Sequence, residues 1–174
     1  DTKELITCKK QEDTSASAFQ YYDRQKVLYN GTDSIKNGEF TFTFAIPRDI
    51  NYAAGTGLMN LSAINDNHTL MAQGHEDGFT IDGSEIVYND SIGPSIYAYL
   101  NSPSFVNGGE VNSTPYFFAQ IMDKDGINAS GNGIGHDMQL TIDGKLTQTY
   151  ILNDNFRYDF GSYTSGTTGF SLPE

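Results

Sequence analysis

Phe40, Phe42, Phe44 and Ile46 alternate with Glu39, Thr41, Thr43 and Ala45 along residues 39–46. This is the two-residue period of a strand with one apolar face. It is the cleanest such run in the chain, and its phenylalanine row is expected to anchor a first core. Pro47 ends it by removing a backbone donor. The same alternation, or a short apolar run, predicts strands at Leu5–Cys8, Lys26–Tyr29, Gly57–Ile64, Thr69–Gln73, Phe79–Ile81, Ser95–Leu100 and Pro115–Met122. Met138, Leu140 and Ile142 predict another, followed by Asp143-Gly144 as a two-residue hairpin turn. Asn37-Gly38 carries the same signal ahead of Glu39. Asn107-Gly108-Gly109 and Asp123–Gly126 read as further turns. Phe156, Tyr158 and Phe160 follow, then Tyr163 and a terminal apolar patch at Phe170–Leu172. No stretch keeps a helical period over ten residues.

These elements predict an all-β chain. Of its 174 residues 18 are glycine and none is tryptophan, and its aromatic and β-branched residues are punctuated by Gly and Asn turns, a composition typical of sandwiches. Gln11–Ser17 reads as a polar loop. Asp82–Gly93 is polar, acidic and bounded by Gly and Pro, as interdomain connections are. The expected organisation is two consecutive immunoglobulin-like or fibronectin-like β-sandwich domains. Residues 1–84 form the first, 85–93 the linker and 94–174 the second. The second shows about six strand-like runs where an immunoglobulin sandwich has about seven, so its last strands are expected to be missing. The chain opens at Asp1 without an initiator Met, which points to a piece cut from a longer protein.

The net charge is −12, and the three arginines, Arg24, Arg48 and Arg157, are scattered. Phosphate backbones need clustered cations, so nucleic acid is not an expected partner. Cys8 is the sole cysteine, which excludes an internal disulfide. It sits in a strand-like run and reads as an incidental thiol rather than a nucleophile. No apolar run is long enough to span a membrane as a helix.

Asp123 and Asp125, with Asp137 nearby, supply oxygens of the kind calcium takes. The spacing lacks the closing glutamate of an EF-hand, and turn chemistry explains these aspartates equally. Calcium is therefore the one candidate cofactor, held by Asp123, Asp125 and Asp137. His75-Glu76-Asp77, even with His68 across a hairpin, lacks a third converging ligand for zinc. The glycine loop Gly131–Gly135 is followed by a strand and has no Lys-Ser/Thr ending, so it is expected to allow a tight chain crossing rather than hold phosphate. Tyr21-Tyr22, Tyr97 and Tyr99 are candidates for an aromatic platform. No residues form a catalytic constellation.

Three stretches carry a family resemblance: VLYNGTDSIKNGEFTFTFAIPRDINY (27–52), GPSIYAYLNSPSFVNGGEVNSTPYFFAQIMDKDGIN (93–128) and GNGIGHDMQLTIDGKLTQTYILND (131–154). In order and without large gaps, they resemble the cell-surface sortase of the type IX secretion system of Bacteroidetes, a gingipain-like cysteine peptidase. They look like the β-sandwich region that follows the peptidase domain. The resemblance implies that the catalytic His and Cys lie upstream, outside this chain, so that Cys8 and His136 form no dyad. It further implies an extracytoplasmic, surface or outer-membrane location. The implied role is that of an accessory region supporting its own peptidase domain and contacting secreted cargo or outer-membrane secretion components. Asp33-Ser34-Ile35 and Asp90-Ser91-Ile92 resemble the short O-glycosylation signal of such proteins, with Ser34 and Ser91 as acceptors. The alternative reading is an independent carbohydrate-binding or adhesin-type sandwich module.

Overall fold

The structure is a computed structural model; it describes residues 3–9, 17–24, 27–47, 55–81, 91–131 and 137–174. The chain is all-β, and its described residues build antiparallel sheets without a closed barrel. By contacts it forms two compact units. One comprises Asp1–Val27 and Ile50–Val87; the other comprises Leu28–Asp49 and Tyr88–Glu174. The sequence-derived linker lies mostly in 82–90, outside the described residues, as does much of the loop at 11–17.

The described residues of the first unit form three two-stranded sheets. β1 (Glu4–Cys8) pairs with β2 (Phe19–Asp23), with Leu5 opposite Tyr22 and Ile6 opposite Tyr21. β3 (Gly55–Thr56) pairs with β6 (Thr80–Ile81), and β4 (Met59–Ile64) with β5 (Met71–Glu76). Met59, Leu61 and Ala63 are half-buried while Asn60 and Ser62 are exposed, the alternation expected from their sequence. Asn65 shapes the β4–β5 turn, its Oδ1 accepting from the Thr69 and Leu70 amides at 2.8 and 2.9 Å. Arg24 Nη2 donates to the Thr56 and Gly57 carbonyls at 3.1 and 3.2 Å, and so fastens the end of β2 to β3.

The second unit is organised by a four-stranded sheet in the order β11-β12-β8-β7. Its strands are β7 (Ser95–Leu100), β8 (Tyr116–Met122), β11 (Arg157–Tyr158) and β12 (Ser165–Ser171). β9 (Gln139–Thr141) and β10 (Thr149–Ile151) form a separate hairpin. Registry places Ile96, Ile121 and Gly166 in one row and Ala98, Ala119 and Thr168 in the next. This face packs inward over β8 and β12, where Ala119 and Ile121 are buried, and Ile121 clusters with Ile127 and Phe156. Thr168 is the buried polar residue of that face, and its hydroxyl donates to the Leu152 carbonyl at 3.2 Å, which removes the cost of an unpaired buried donor.

Several elements differ from the sequence expectation. Residues 27–29 of the strand expected at Lys26–Tyr29 form no strand, and β2 was not expected. Among the described residues the run 39–46 joins no sheet: Lys36 and Glu39 make a single bridge around Asn37-Gly38, and no further pairing follows. Its phenylalanines pack within the second unit rather than a first core, because Phe44 stacks on Tyr29 and Tyr29 on Tyr158. Asp143 and Gly144 do adopt the positive φ of a type I′ turn (51° and 68°), closed by Lys145 N–H to Ile142 O at 2.9 Å. The chain then makes a 3₁₀ turn at Leu146–Gln148 before β10 begins, so the connection is longer than two residues. Lastly, β12 is the second unit's longest strand alongside β8, although only its final residues read as apolar.

Candidate binding surfaces

The glycine loop of the 131–154 stretch is closed by one side chain. Asn153 Oδ1 accepts from the Met138 amide at 2.9 Å, and Asn153 Nδ2 donates to the Ala129 carbonyl at 3.3 Å. The two bonds tie together the chain entering and leaving the loop. Gly131 has φ 61°, and a side chain there would meet the Asn153 amide at 3.3 Å and the Asp137 carboxylate at 3.4 Å. Glycine is therefore needed both for its conformation and for the close approach of Asn153. This accounts for the two described ends of the motif: Gly131 opens the loop and the Asn of Asn-Asp fastens it. Sequence reasoning read Asn153 as a strand stop and missed the clasp. Residues 132–136, with His136, lie outside the described residues.

Asp123 and Asp125 belong to a turn in which Asp123 Oδ1 accepts from the Asp125 amide at 2.9 Å and Gly126 N–H donates to the Asp123 carbonyl at 3.2 Å. Asp125 also pairs with Lys124 at 2.6 Å. Asp137 stands by Gly131, exposed. Among the described residues no group of three His, Cys, Asp or Glu side chains converges on a point. His68 lies in the β4–β5 turn with φ 54°, whereas His75 pairs with Asn60 near the other end of that hairpin.

Cys8 is exposed at the end of β1, opposite Phe19, so the thiol is open to solvent rather than sheltered. The Tyr21 phenol lies close by, and the charge of the Cys8 thiolate, chiefly, pushes its pKa up. Ser34 and Ser91 are both exposed. Ser34 lines an open depression of about 350 Å³ with Asp33, Lys36, Asn37, Glu39 and Phe40. Its amide is held by Asp33 Oδ1 at 2.6 Å.

The outer face of the four-stranded sheet is aromatic. Tyr97 and Tyr99 on β7 lie 5.7 Å apart at 55°, and Tyr99 stacks on Phe118 of β8 at 4.9 Å. Tyr116 lies over Gly169, where a side chain would meet its hydroxyl at 3.1 Å. Tyr97 is 54% exposed and Tyr116 46%. The Tyr97 hydroxyl is anchored on the Pro103 carbonyl at 3.1 Å. The neighbouring amides are committed to structure: Asn101 donates to Asn112 at 2.9 Å and accepts from the Tyr116 amide at 2.8 Å. Tyr21 and Tyr22 point to opposite faces of β2, so they form no joint platform with each other.

A second aromatic array runs through the unit. Phe40, Phe42 and Phe44 stack at 6.1 and 6.0 Å. Phe44 meets Tyr29 at 5.3 Å, Tyr29 meets Tyr158 at 4.8 Å, and Tyr158 meets Phe156 edge-on at 4.9 Å. Burial pushes the Tyr158 phenol up to about 12, and its hydroxyl donates to the Ile127 carbonyl at 2.6 Å. The array begins at the surface with Phe40 and ends in the core at Phe156.

Among known proteins, no family model matches the chain and no curated protein matches it. It is similar to a solved structure, dimeric latent PorU from Porphyromonas gingivalis, at 33% sequence identity and a TM-score of 0.48. The similarity covers 98% of this chain and 16% of that one, so this chain spans about a sixth of the length of the protein it resembles. No helix among the described residues is long and apolar enough to cross a membrane.

Proposed function

We propose that this chain is a non-catalytic accessory region of a cell-surface sortase of the type IX secretion system. In that role it supports a gingipain-like peptidase domain elsewhere in the same protein and contacts secreted cargo or outer-membrane secretion components. The observation that carries this reading is the ordered run of resembling stretches over 27–52, 93–128 and 131–154. The 33% identity to PorU along 98% of the chain agrees with it. The chemistry is compatible: the side chains described above form ring stacks, turns and clasps. The exposed Tyr97 and Tyr116 and the outer end of the phenylalanine row offer apolar area of the kind protein partners use.

The test is to delete these residues from the parent protein and follow cargo maturation and surface attachment, while the separately expressed chain is titrated against the peptidase domain. Loss of attachment together with measurable association supports the accessory role. Unchanged attachment with no association removes it. The tyrosine face also favours a second reading, a carbohydrate-binding module, since sugars stack on exposed rings. A glycan array showing binding that disappears in Tyr97→Ala and Tyr116→Ala chains would move the assignment there.

A further inference from the structure

Registry carries the tyrosine face across all four strands of the second unit's sheet. Tyr97 of β7 lies opposite Gln120 of β8, Gln120 opposite Thr167 of β12, and Thr167 opposite Arg157 of β11. Alternate rows of a sheet point to opposite sides, and the rows of Ala119 and Ile121 face the core. The Tyr97 row therefore stands on the outer face, where strands about 4.8 Å apart give it a length of roughly 14 Å. Asp159 continues the same side of the chain two residues beyond Arg157, its amide donating to the Ser165 carbonyl at 3.0 Å.

The polar groups of this row are uncommitted. Among the described residues the Gln120 amide, the Thr167 hydroxyl and the Asp159 carboxylate make no hydrogen bond. Of the Arg157 nitrogens Nη1 is used, donating to the Asp154 and Phe156 carbonyls at 2.8 and 2.6 Å, and Nε and Nη2 are not. Neighbouring polar side chains are committed to the fold instead: Tyr97 to Pro103, Asn101 to Asn112 and the Tyr116 amide, Asn155 to the Gly169 carbonyl at 3.3 Å. A ring held in place beside several unanswered donors and acceptors is the makeup of a ligand site. The two charges decide the ligand. Arg157 only donates and Asp159 only accepts, so an acidic ligand is opposed by Asp159 and a basic one by Arg157. A sugar hydroxyl both donates and accepts. Neighbouring hydroxyls of an uncharged sugar answer both groups, while its C–H face lies on a tyrosine ring.

We infer that the row of Tyr97, Gln120, Thr167 and Arg157 binds a neutral oligosaccharide laid across the strands. The inference rests on the carbohydrate reading of the tyrosine face. It adds the polar residues that select the sugar and the requirement that the sugar be uncharged. It does not depend on the accessory role.

Isothermal titration of the whole chain tests it, with cellohexaose, mannohexaose, galactohexaose and xylohexaose as neutral probes and hexagalacturonate as the acidic one. At least one neutral probe should bind, and more tightly than hexagalacturonate. Gln120→Ala and Thr167→Val should each weaken that binding roughly three- to tenfold, the effect of one lost hydrogen bond. Neither side chain is bonded to another described residue, so both variants should unfold in urea like the unmodified chain. Tyr97→Ala should abolish binding, as the carbohydrate reading alone requires. Binding that Tyr97→Ala abolishes but Gln120→Ala and Thr167→Val leave unchanged would overturn the inference and leave that reading standing. Tighter binding of hexagalacturonate would do the same. No binding of any probe would remove both.

Discussion

The ring of Phe156 occupies the space where a side chain on Gly166 would stand. A methyl at Gly166 would fall inside contact distance of Phe156 Cζ and 2.5 Å from the Arg157 carbonyl oxygen. Gly166 thus sits under the core ring from a central strand. Gly166→Ala should destabilise the second unit by about 1–3 kcal/mol through overpacking. Urea unfolding followed by tyrosine fluorescence measures this, and an unchanged midpoint would show that the ring moves aside freely.

Asn153 closes the 131–137 loop with one acceptor and one donor bond. Asn153→Ala removes both and should cost about 1–3 kcal/mol. Asn153→Asp keeps the acceptor for Met138 and loses the donor to Ala129, so its cost should be smaller. Amide exchange at Met138 separates them: it should accelerate in the alanine variant and change little in the aspartate one.

Tyr158 gives a pH dependence whose sign follows from its environment. Its folded pKa, raised to about 12 by burial, exceeds the ordinary 10.0. Between those values the unfolded chain loses the proton while the folded chain keeps it. The contribution is therefore complete below pH 10 and is lost as pH rises towards 12. Tyr158→Phe should flatten that part of the stability–pH curve. It should also cost about 1–3 kcal/mol at neutral pH by leaving the Ile127 carbonyl unpaired.

Two glycines without side-chain neighbours should respond in opposite directions. Neither Gly38 nor Gly74 has an atom within 4 Å of where a side chain would begin, yet Gly38 has φ 84° and Gly74 lies in β5. Gly38→Ala should destabilise by about 1–2 kcal/mol, the cost of a left-handed alanine. Gly74→Ala should stabilise by about 0.4–1 kcal/mol by restricting the unfolded chain. Thermal unfolding of the pair tests both, and a shared sign would contradict the backbone argument.

Cys8 should react with a disulfide reagent in the folded protein as readily as a model thiol, since it is exposed. Cys8→Ser should leave stability within about 0.5 kcal/mol.

β7 and β8 were legible from sequence because their apolar residues are large and bounded by turns: Ser95–Leu100 matches its strand at both ends and Pro115–Met122 differs by one residue. β12 was not. Its sequence, SGTTGFS, is poor in apolar residues because Gly166 and Gly169 make room for Phe156 and Tyr116. Space reserved for a neighbour's ring leaves no hydrophobic signal on the strand that provides it. The opposite failure occurred at 39–46, where the pattern was strong but pairing depends on a partner strand that alternation cannot identify. β2 (Phe19–Asp23) was overlooked for a third reason: its side chains are exposed on both faces, so burial imposed no alternation. Of the candidate site, the Asn153 clasp could not be read, since an Asn at a strand end carries no mark of what its amide reaches.

The second unit is assembled from Leu28–Asp49 and Tyr88–Glu174, with Ile50–Val87 belonging to the other unit. Phe44 and Tyr29 leave the ribosome long before Tyr158 and Phe156, the rings that complete their array. At roughly 5–20 residues per second the interval is on the order of ten seconds. During that time the phenylalanine row is a nascent, uncovered apolar ribbon while the intervening unit emerges. A topology of this kind gives slow closure of long-range contacts and leaves the Phe40–Phe44 row uncovered until the rings that complete its array have been made.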